Sequence, residues 1–224
     1  MRLSDNAPRW VAPVLSLVAT SIVASGCGTA DPVAYSGIAS SAQLAPNPKD
    51  ETGHIPFRYA TPVDWRSYNR MIIDPIVIYR GPDAQFDGMS EEDKAELAHA
   101  MTVAFVEKLK TRFTLTDNPA PGTLRLRLTL TGASTSTPVL STLSRAMGFG
   151  VVHGVQALRG SEGALTGSVL YAVEIYDAPT NRLLDAFVSK QYPGAMNVGA
   201  TFGSLAAAET GLEKGADALL AQLK

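Results

Sequence analysis

The chain of 224 residues is poor in cysteine, in histidine and in net charge. Its single cysteine excludes an internal disulfide framework and a cysteine-rich zinc site. Its 19 basic and 21 acidic residues give a net charge of −2, so the basic excess with which proteins bind nucleic-acid phosphates is missing. We therefore expect no nucleic-acid partner. Hydrophobic residues make up 46% and charged residues 18%, which excludes a wholly disordered chain.

Motifs of the common enzyme classes are also missing. There is no Gly-x-Ser-x-Gly elbow of the esterase type and no phosphate-binding loop ending in Gly-Lys-Ser or Gly-Lys-Thr. The histidines, His54, His99 and His153, lie in three separate segments without the close spacing of a metal-binding pair. The sequence therefore predicts no catalytic residues, no metal site and no cofactor.

The N-terminus has the features of an export signal. A short basic region, residues 1–9, precedes residues 10–23, which carry no charge. A bilayer-spanning helix needs about 20 apolar residues, so this run fits a signal peptide better than a permanent anchor. The signal peptide is predicted to cover residues 1–26.

The segment Ala24-Ser25-Gly26-Cys27 resembles a bacterial lipobox, in which the chain is cut before a cysteine that then receives lipid. The resemblance implies that Cys27 becomes the acylated (palmitate-carrying) N-terminus. It also implies the periplasmic face of the outer membrane, because Gly28 stands where lipoproteins retained in the inner membrane usually have aspartate. Plain secretion and an uncleaved anchor remain as alternatives.

The predicted order of elements indicates an α+β fold. Residues 27–66 are interpreted as a lipidated N-terminus, tether and wrapping segment, and residues 67–224 as a periplasmic domain. Alternation along Thr123–Thr131 turns leucines toward a core and Arg125 and Arg127 toward water. The predicted elements are strands at Met71–Tyr79, Thr123–Thr131, Ser168–Asp177 and Arg182–Gln191, and helices from Ser90 to near Phe113 and from Ser204 to Leu223. This order favours a two-layer sandwich of about four mainly antiparallel strands, covered on one face by two helices.

Several short segments together resemble a known family. They are Tyr35–Ile38 followed by Ser41 and Leu44, Tyr68 with Ile72–Pro75, the helix from Ser90, the strand after Gly122, and Tyr171–Leu184 with its turn at Asp177. In order and spacing they are similar to an uncharacterised bacterial lipoprotein family, the domain of unknown function 3313. The resemblance covers most of the chain after Cys27. Because the family has no assigned reaction, it implies no catalytic residues.

Four acids on or beside strands leave one enzymatic alternative open. They are Asp74, Glu174, Asp177 and Asp185. Two carboxylates that converge in a cleft could act as acid and base, so an envelope hydrolase is the alternative function. Such acids are more often turn caps or outward strand residues.

The stretch 138–167 is an apolar insert rich in glycine. Gly148, Gly150 and Gly154 destabilise a helix there, each by about 1 kcal/mol relative to alanine. One interpretation is a loosely helical insert packed on the domain. The other is an interaction surface that meets a protein or the membrane. We therefore expect a binding or envelope-assembly module, with the membrane as one partner through its lipid anchor and another envelope protein, or a second copy, as the other.

Overall fold

The structure is a computed structural model that describes residues 31–86, 88–135, 167–193 and 205–224. Cys27, Gly148, Gly150 and Gly154 lie outside the described residues, so the predicted lipidation site and the glycine-rich surface do too. Within the four described ranges, no helix has the length and apolar character needed to cross a membrane.

Three long antiparallel strands form the middle of the sheet. They are β6 (Thr123–Ser134), β7 (Ser168–Asp177) and β8 (Arg182–Gln191). The predicted bounds of β7 and β8 are confirmed. Turn residues between the two strands end β7 at Asp177 and let β8 begin at Arg182. Asp177 accepts a hydrogen bond from the Thr180 amide, and Asn181 closes the turn with a φ of 54°.

Shorter strands extend this sheet on both sides. They are β1 (Ala45–Pro46), β2 (Phe57–Ala60), β3 (Arg70–Ile73), β4 (Val77–Ile78) and β5 (Thr114–Leu115). The sheet order is β1-β2-β8-β7-β6-β3-β5, and β4 also pairs with β6. Strand β3 is parallel to both β6 and β5, and β4 is parallel to β6. A single-turn 3-10 helix, Trp65–Ser67, precedes β3.

The predicted sheet of about four mainly antiparallel strands is therefore wrong. The described residues form one mixed sheet of eight strands. Strands β1, β4 and β5 have two residues each, which is too short to give an alternating pattern. The parallel pairing of β3 with β6 arises because the first helix crosses over between them.

Pro75 divides the predicted strand Met71–Tyr79 into β3 and β4. Ile73 pairs with Leu126 and Val77 with Thr129, so this side advances by four residues while β6 advances by three. The extra residue is a bulge at the proline, which has no N–H to donate.

Two helices cover one face of the sheet. Helix α1 (Glu91–Leu109) begins at Ser90, whose hydroxyl accepts a 3.0 Å hydrogen bond from the Asp93 amide. It ends at Leu109, earlier than predicted, although Phe113 is still buried. Helix α2 (Ala206–Gln222) packs against α1 and against β7 and β8. It lies so close that a Cβ at Gly215 would overlap the Tyr171 hydroxyl.

The opposite face of the sheet is covered by the N-terminal segment. We call residues 31–44 the strap. Tyr35 and Ile38 of the strap are buried against Tyr79, Ala172 and Val188 in a second core cluster. The expectation that this face is solvated is therefore wrong for much of its area. Strap residues that precede the first long strand thus bury apolar surface on the face of the sheet that the helices do not cover.

Candidate functional site

The strap is held by hydrogen bonds from its backbone to side chains of the domain. The Ser36 amide donates to Asp83 Oδ2 at 2.8 Å, and the Gly37 amide donates to the Tyr79 hydroxyl at 2.9 Å. The Ser40 amide donates to Glu174 Oε1 at 2.6 Å. Because each bond uses a backbone donor, the path of the strap is fixed by the positions of three side chains in the domain.

Tyr79 is the centre of this attachment. Its hydroxyl donates to Asp83 Oδ1 at 2.5 Å, and this hydrogen bond is the main reason that the pKa of Asp83 is lowered. A Cβ at Gly37 would lie 2.8 Å from Tyr79 Cε2, closer than real Cβ atoms approach. Glycine at this position therefore lets the strap lie directly on the tyrosine ring.

The first residue of the family-like segment is also bound to the domain. The buried Tyr35 hydroxyl donates to Gln85 Oε1 at 2.6 Å. Its burial raises the pKa of Tyr35 to about 12. Each residue of the Tyr35-Ser36-Gly37-Ile38 segment thus contacts the domain, the first three by hydrogen bonds and Ile38 by apolar packing.

A groove of about 470 Å³ lies between the strap and the bulge at Pro75. We call it the strap groove. Its apolar wall includes Ile38, Pro75 and Val77, and the Val77 side chain is 56% exposed at its lip. Its polar wall includes Asp74, Arg127 and Glu174. The groove lies at the bulge, where β3 ends and β4 begins.

The Asp74 carboxylate in the strap groove is paired with arginine. Asp74 Oδ2 accepts a 3.0 Å hydrogen bond from Arg127 Nε, and this bond raises the pKa of Arg127. Arg125 Nε lies 3.7 Å from the other Asp74 oxygen. The Arg127 guanidinium also lies 4.9 Å from the centre of the Tyr176 ring. The arrangement keeps both arginines on the groove side of the sheet and orients their charges.

The structure brings together only two of the four candidate acids. Asp74 and Glu174 line the strap groove, each with a hydrogen-bond donor in place. Asp185 lies on the helix-covered face, with Arg58 at 2.5 Å and Gln222 at 2.8 Å. Asp177 lies at the hairpin turn, where it accepts a 3.2 Å hydrogen bond from the Tyr68 hydroxyl.

The groove offers little for acid–base or metal chemistry. No histidine, cysteine or serine stands among its described lining residues. In the part of the chain that the structure describes, no three or more His, Cys, Asp or Glu side chains are grouped closely enough to hold a metal ion. His54 stacks on Tyr192 with 4.7 Å between ring centres, and His99 is exposed on α1.

Sequence reasoning missed the contacts that define this site. Gly37 and Tyr79 are 42 residues apart, and Ser40 and Glu174 are 134 residues apart. No local pattern predicts contacts at such separations. The available signal was the presence of aromatic and branched residues, such as Tyr35 and Ile38, in a segment otherwise rich in small residues.

A protein family matches most of the chain. The model of the family described as "Protein of unknown function (DUF3313)" matches residues 34–219. The chain belongs to this family. The match begins within the strap, so the family's domain includes the segment that covers the second face of the sheet.

Other comparisons give distant likenesses. No curated protein matches the chain. The PelC dodecamer from Paraburkholderia phytofirmans is similar at 8% identity and a TM-score of 0.36, over 70% of this chain and 92% of that one. The hypothetical protein CT253 from Chlamydia trachomatis is similar at 8% identity and a TM-score of 0.30, over 69% and 93%. Likenesses this weak support no inference about this chain.

Proposed function

We propose that this member of the family is an outer-membrane lipoprotein that binds another envelope protein at the periplasmic face. Removal of residues 1–26 leaves Cys27 as the acylated N-terminus. Several acyl chains anchor a protein firmly, since each buried methylene contributes about 0.8 kcal/mol. One observation supports the proposal above the others: a strap that begins four residues after Cys27 is hydrogen-bonded to the domain.

This observation matters because it connects the anchor to a binding surface. The strap that follows the lipobox-like segment also forms one wall of the strap groove, through Gly37, Ile38 and Ala39. Apolar lips beside an oriented arginine are typical of protein–protein sites, where arginine is enriched and an apolar centre is surrounded by polar groups. We propose that a short segment of an envelope protein occupies this groove.

The hydrolase alternative is not favoured by the geometry. A general acid or base needs a pKa near the working pH and a free position facing the substrate. Asp74 already accepts a hydrogen bond from Arg127, and Glu174 already accepts one from the Ser40 amide. Both carboxylates therefore make structural contacts within the walls of the groove.

The anchor is tested by changing two adjacent residues in the full chain. Cys27→Ser should abolish incorporation of labelled palmitate and release the protein from the membrane fraction, or leave it unprocessed. Gly28→Asp keeps the cysteine, so it should preserve acylation and move the protein to the inner membrane. A Cys27→Ser protein that is still acylated and membrane-bound would exclude the proposed anchor.

The groove is tested by photo-cross-linking in intact envelopes. A photoreactive amino acid at Val77 stands at the groove lip, and the same amino acid at Val103 stands on α1, on the other face. The two side chains are similarly exposed, at 56% and 47%. We expect a discrete cross-linked partner from Val77 only. Equal products from both positions, or none from Val77, would remove the groove from the functional account.

A further inference from the structure

The strap is fixed to the domain from its first described residue. The Asp31 carbonyl accepts a 2.9 Å hydrogen bond from Gln85 Nε2, and the Asp31 carboxylate lies 3.5 Å from Lys190 Nζ. Pro32, the next residue, is buried. The position of Asp31 relative to the sheet is therefore set by contacts with two separate parts of the domain.

These contacts place Asp31 at one end of the long strands. The Gln85 carbonyl accepts a 3.0 Å hydrogen bond from the Ala133 amide, near the end of β6. Lys190 is the penultimate residue of β8 and pairs with Leu170, near the start of β7. The hairpin turn between Asp177 and Arg182 lies at the other end of the same strands. We call these the strap end and the turn end of the sheet.

Covalent geometry limits where a lipid on Cys27 can lie. Asp31 is four residues after Cys27, and four residues of fully extended chain span at most about 14 Å. The ten residues of β7 extend over about 30 Å at roughly 3.3 Å per residue. An anchor at Cys27 therefore reaches the strap end of the sheet but does not reach the turn end.

From this limit we infer that the domain stands end-on, with the strap end of the sheet facing the bilayer and the turn end facing away. The inference rests on the proposed acylation of Cys27 and adds an orientation to it. The surface that faces the strap end is the bilayer, because a lipid on Cys27 lies within about 14 Å of Asp31. The strap groove, whose Val77 pairs with Thr129 in the middle of β6, is then held clear of the bilayer surface.

The orientation is tested with dyes on the acylated protein in vesicles. Cys27 is the only cysteine, and acylation uses its sulfur, so one introduced cysteine is labelled alone. Val33→Cys places an environment-sensitive dye at the strap end, where the side chain is 39% exposed. Pro179→Cys places it at the exposed turn end. The vesicles contain phosphatidylethanolamine, phosphatidylglycerol and a lipid with a nitroxide headgroup, which quenches nearby dyes.

We expect strong quenching at Val33→Cys and only background quenching at Pro179→Cys. The same two variants with Cys27→Ser should show background quenching at both positions. Equal quenching at both positions of the acylated protein, or more at Pro179→Cys, would overturn the end-on orientation and leave the anchor intact. Absence of acyl chains by mass spectrometry, with no binding to vesicles, would overturn both.

Discussion

The two faces of the sheet are covered in different ways. The helix-covered face is packed by apolar side chains, such as Phe105 of α1, which contacts Tyr171 edge-on with 5.7 Å between ring centres. The strap-covered face has a smaller apolar cluster. The strap itself is held there by hydrogen bonds from its backbone to Tyr79, Asp83 and Glu174. Apolar burial stabilises without direction, whereas hydrogen bonds specify a path.

This difference separates the stability of the domain from the attachment of the strap. An ordinary hydrogen bond contributes only about 0.5–1.5 kcal/mol net, so the strap's bonds together are worth a few kcal/mol. A buried leucine or phenylalanine contributes about 1.5–3 kcal/mol by its burial alone, and the helix-covered face has many. Changes on the helix-covered face should therefore affect folding of the whole domain, and changes on the strap-covered face should affect the strap alone.

The largest effect is expected from Leu126→Asp. Leu126 is fully buried on the helix-covered face, where a new carboxylate would have no partner, so we expect a loss above about 4 kcal/mol and failure to fold. The matched control is Arg127→Met on the other face. It loses a partly exposed ion pair with Asp74, so its cost should stay below about 1 kcal/mol. Urea unfolding should show no cooperative transition for Leu126→Asp and a transition near that of the unchanged protein for Arg127→Met; the same outcome for both variants would contradict the difference between the faces.

A smaller effect is expected from Arg58→Met. Asp185 is buried on the helix-covered face, and burial raises its pKa while the Arg58 guanidinium lowers it in part. Removing one partner of a buried pair costs roughly 3–5 kcal/mol, and we expect about 2–3 kcal/mol at pH 7 because Arg58 is 31% exposed.

The stability loss caused by Arg58→Met should depend on pH in a definite direction. A carboxyl with a raised folded-state pKa favours folding below its ordinary value of 3.8, and this contribution is lost as the pH rises through the raised pKa. Without Arg58 the pKa of Asp185 rises further, so the deficit should be smaller at pH 4 than at pH 7. The double variant Arg58→Met with Asp185→Asn should lose this dependence in thermal melting across that range. A deficit that is constant with pH would contradict the assigned cause.

The smallest of the three effects is expected from Gly37→Ala on the strap-covered face. The new methyl group would press on the Tyr79 ring, and overpacking of this kind costs about 1–3 kcal/mol. Hydrogen exchange should rise at the Ser36, Gly37 and Ser40 amides and stay unchanged in β6 and β7. Ala39→Ser, at an exposed neighbour, is the control. If β6 and β7 exchange faster to the same extent, the strap is part of the folding unit and the separation of the two faces is wrong.

The sequence predicts best those elements whose signals are local. Ser90 and the stripe Leu97, Met101, Phe105 and Leu109 predict α1, and Asp177 to Asn181 predict the hairpin turn. These signals depend on neighbours within a few residues of each other, so one sequence suffices to see them.

The remaining features depend on residues that are distant in the chain. The parallel pairing of β3 with β6 depends on where α1 packs, and strands of two residues have no period to detect. Arg127 was correctly placed opposite the leucines of β6, but its partner Asp74 and the strap above the sheet are fixed by tertiary contacts. The strap groove could not be predicted, because it lies between segments that meet only in the folded domain.

The strap's attachment also has a consequence for the order in which the parts of the domain fold. The Ser40 amide binds Glu174, which is 134 residues further along the chain, so the strap has no complete docking site until the hairpin of β7 and β8 has formed. Contacts at such separation form slowly, because the intervening chain must first be brought together. The strap, although it precedes the rest of the domain in the chain, is therefore among the last parts of the domain to dock. Under the proposed acylation of Cys27, an enzyme that acts early would meet a domain whose strap is still undocked, and the distance between lipid and domain would be set only when folding is complete.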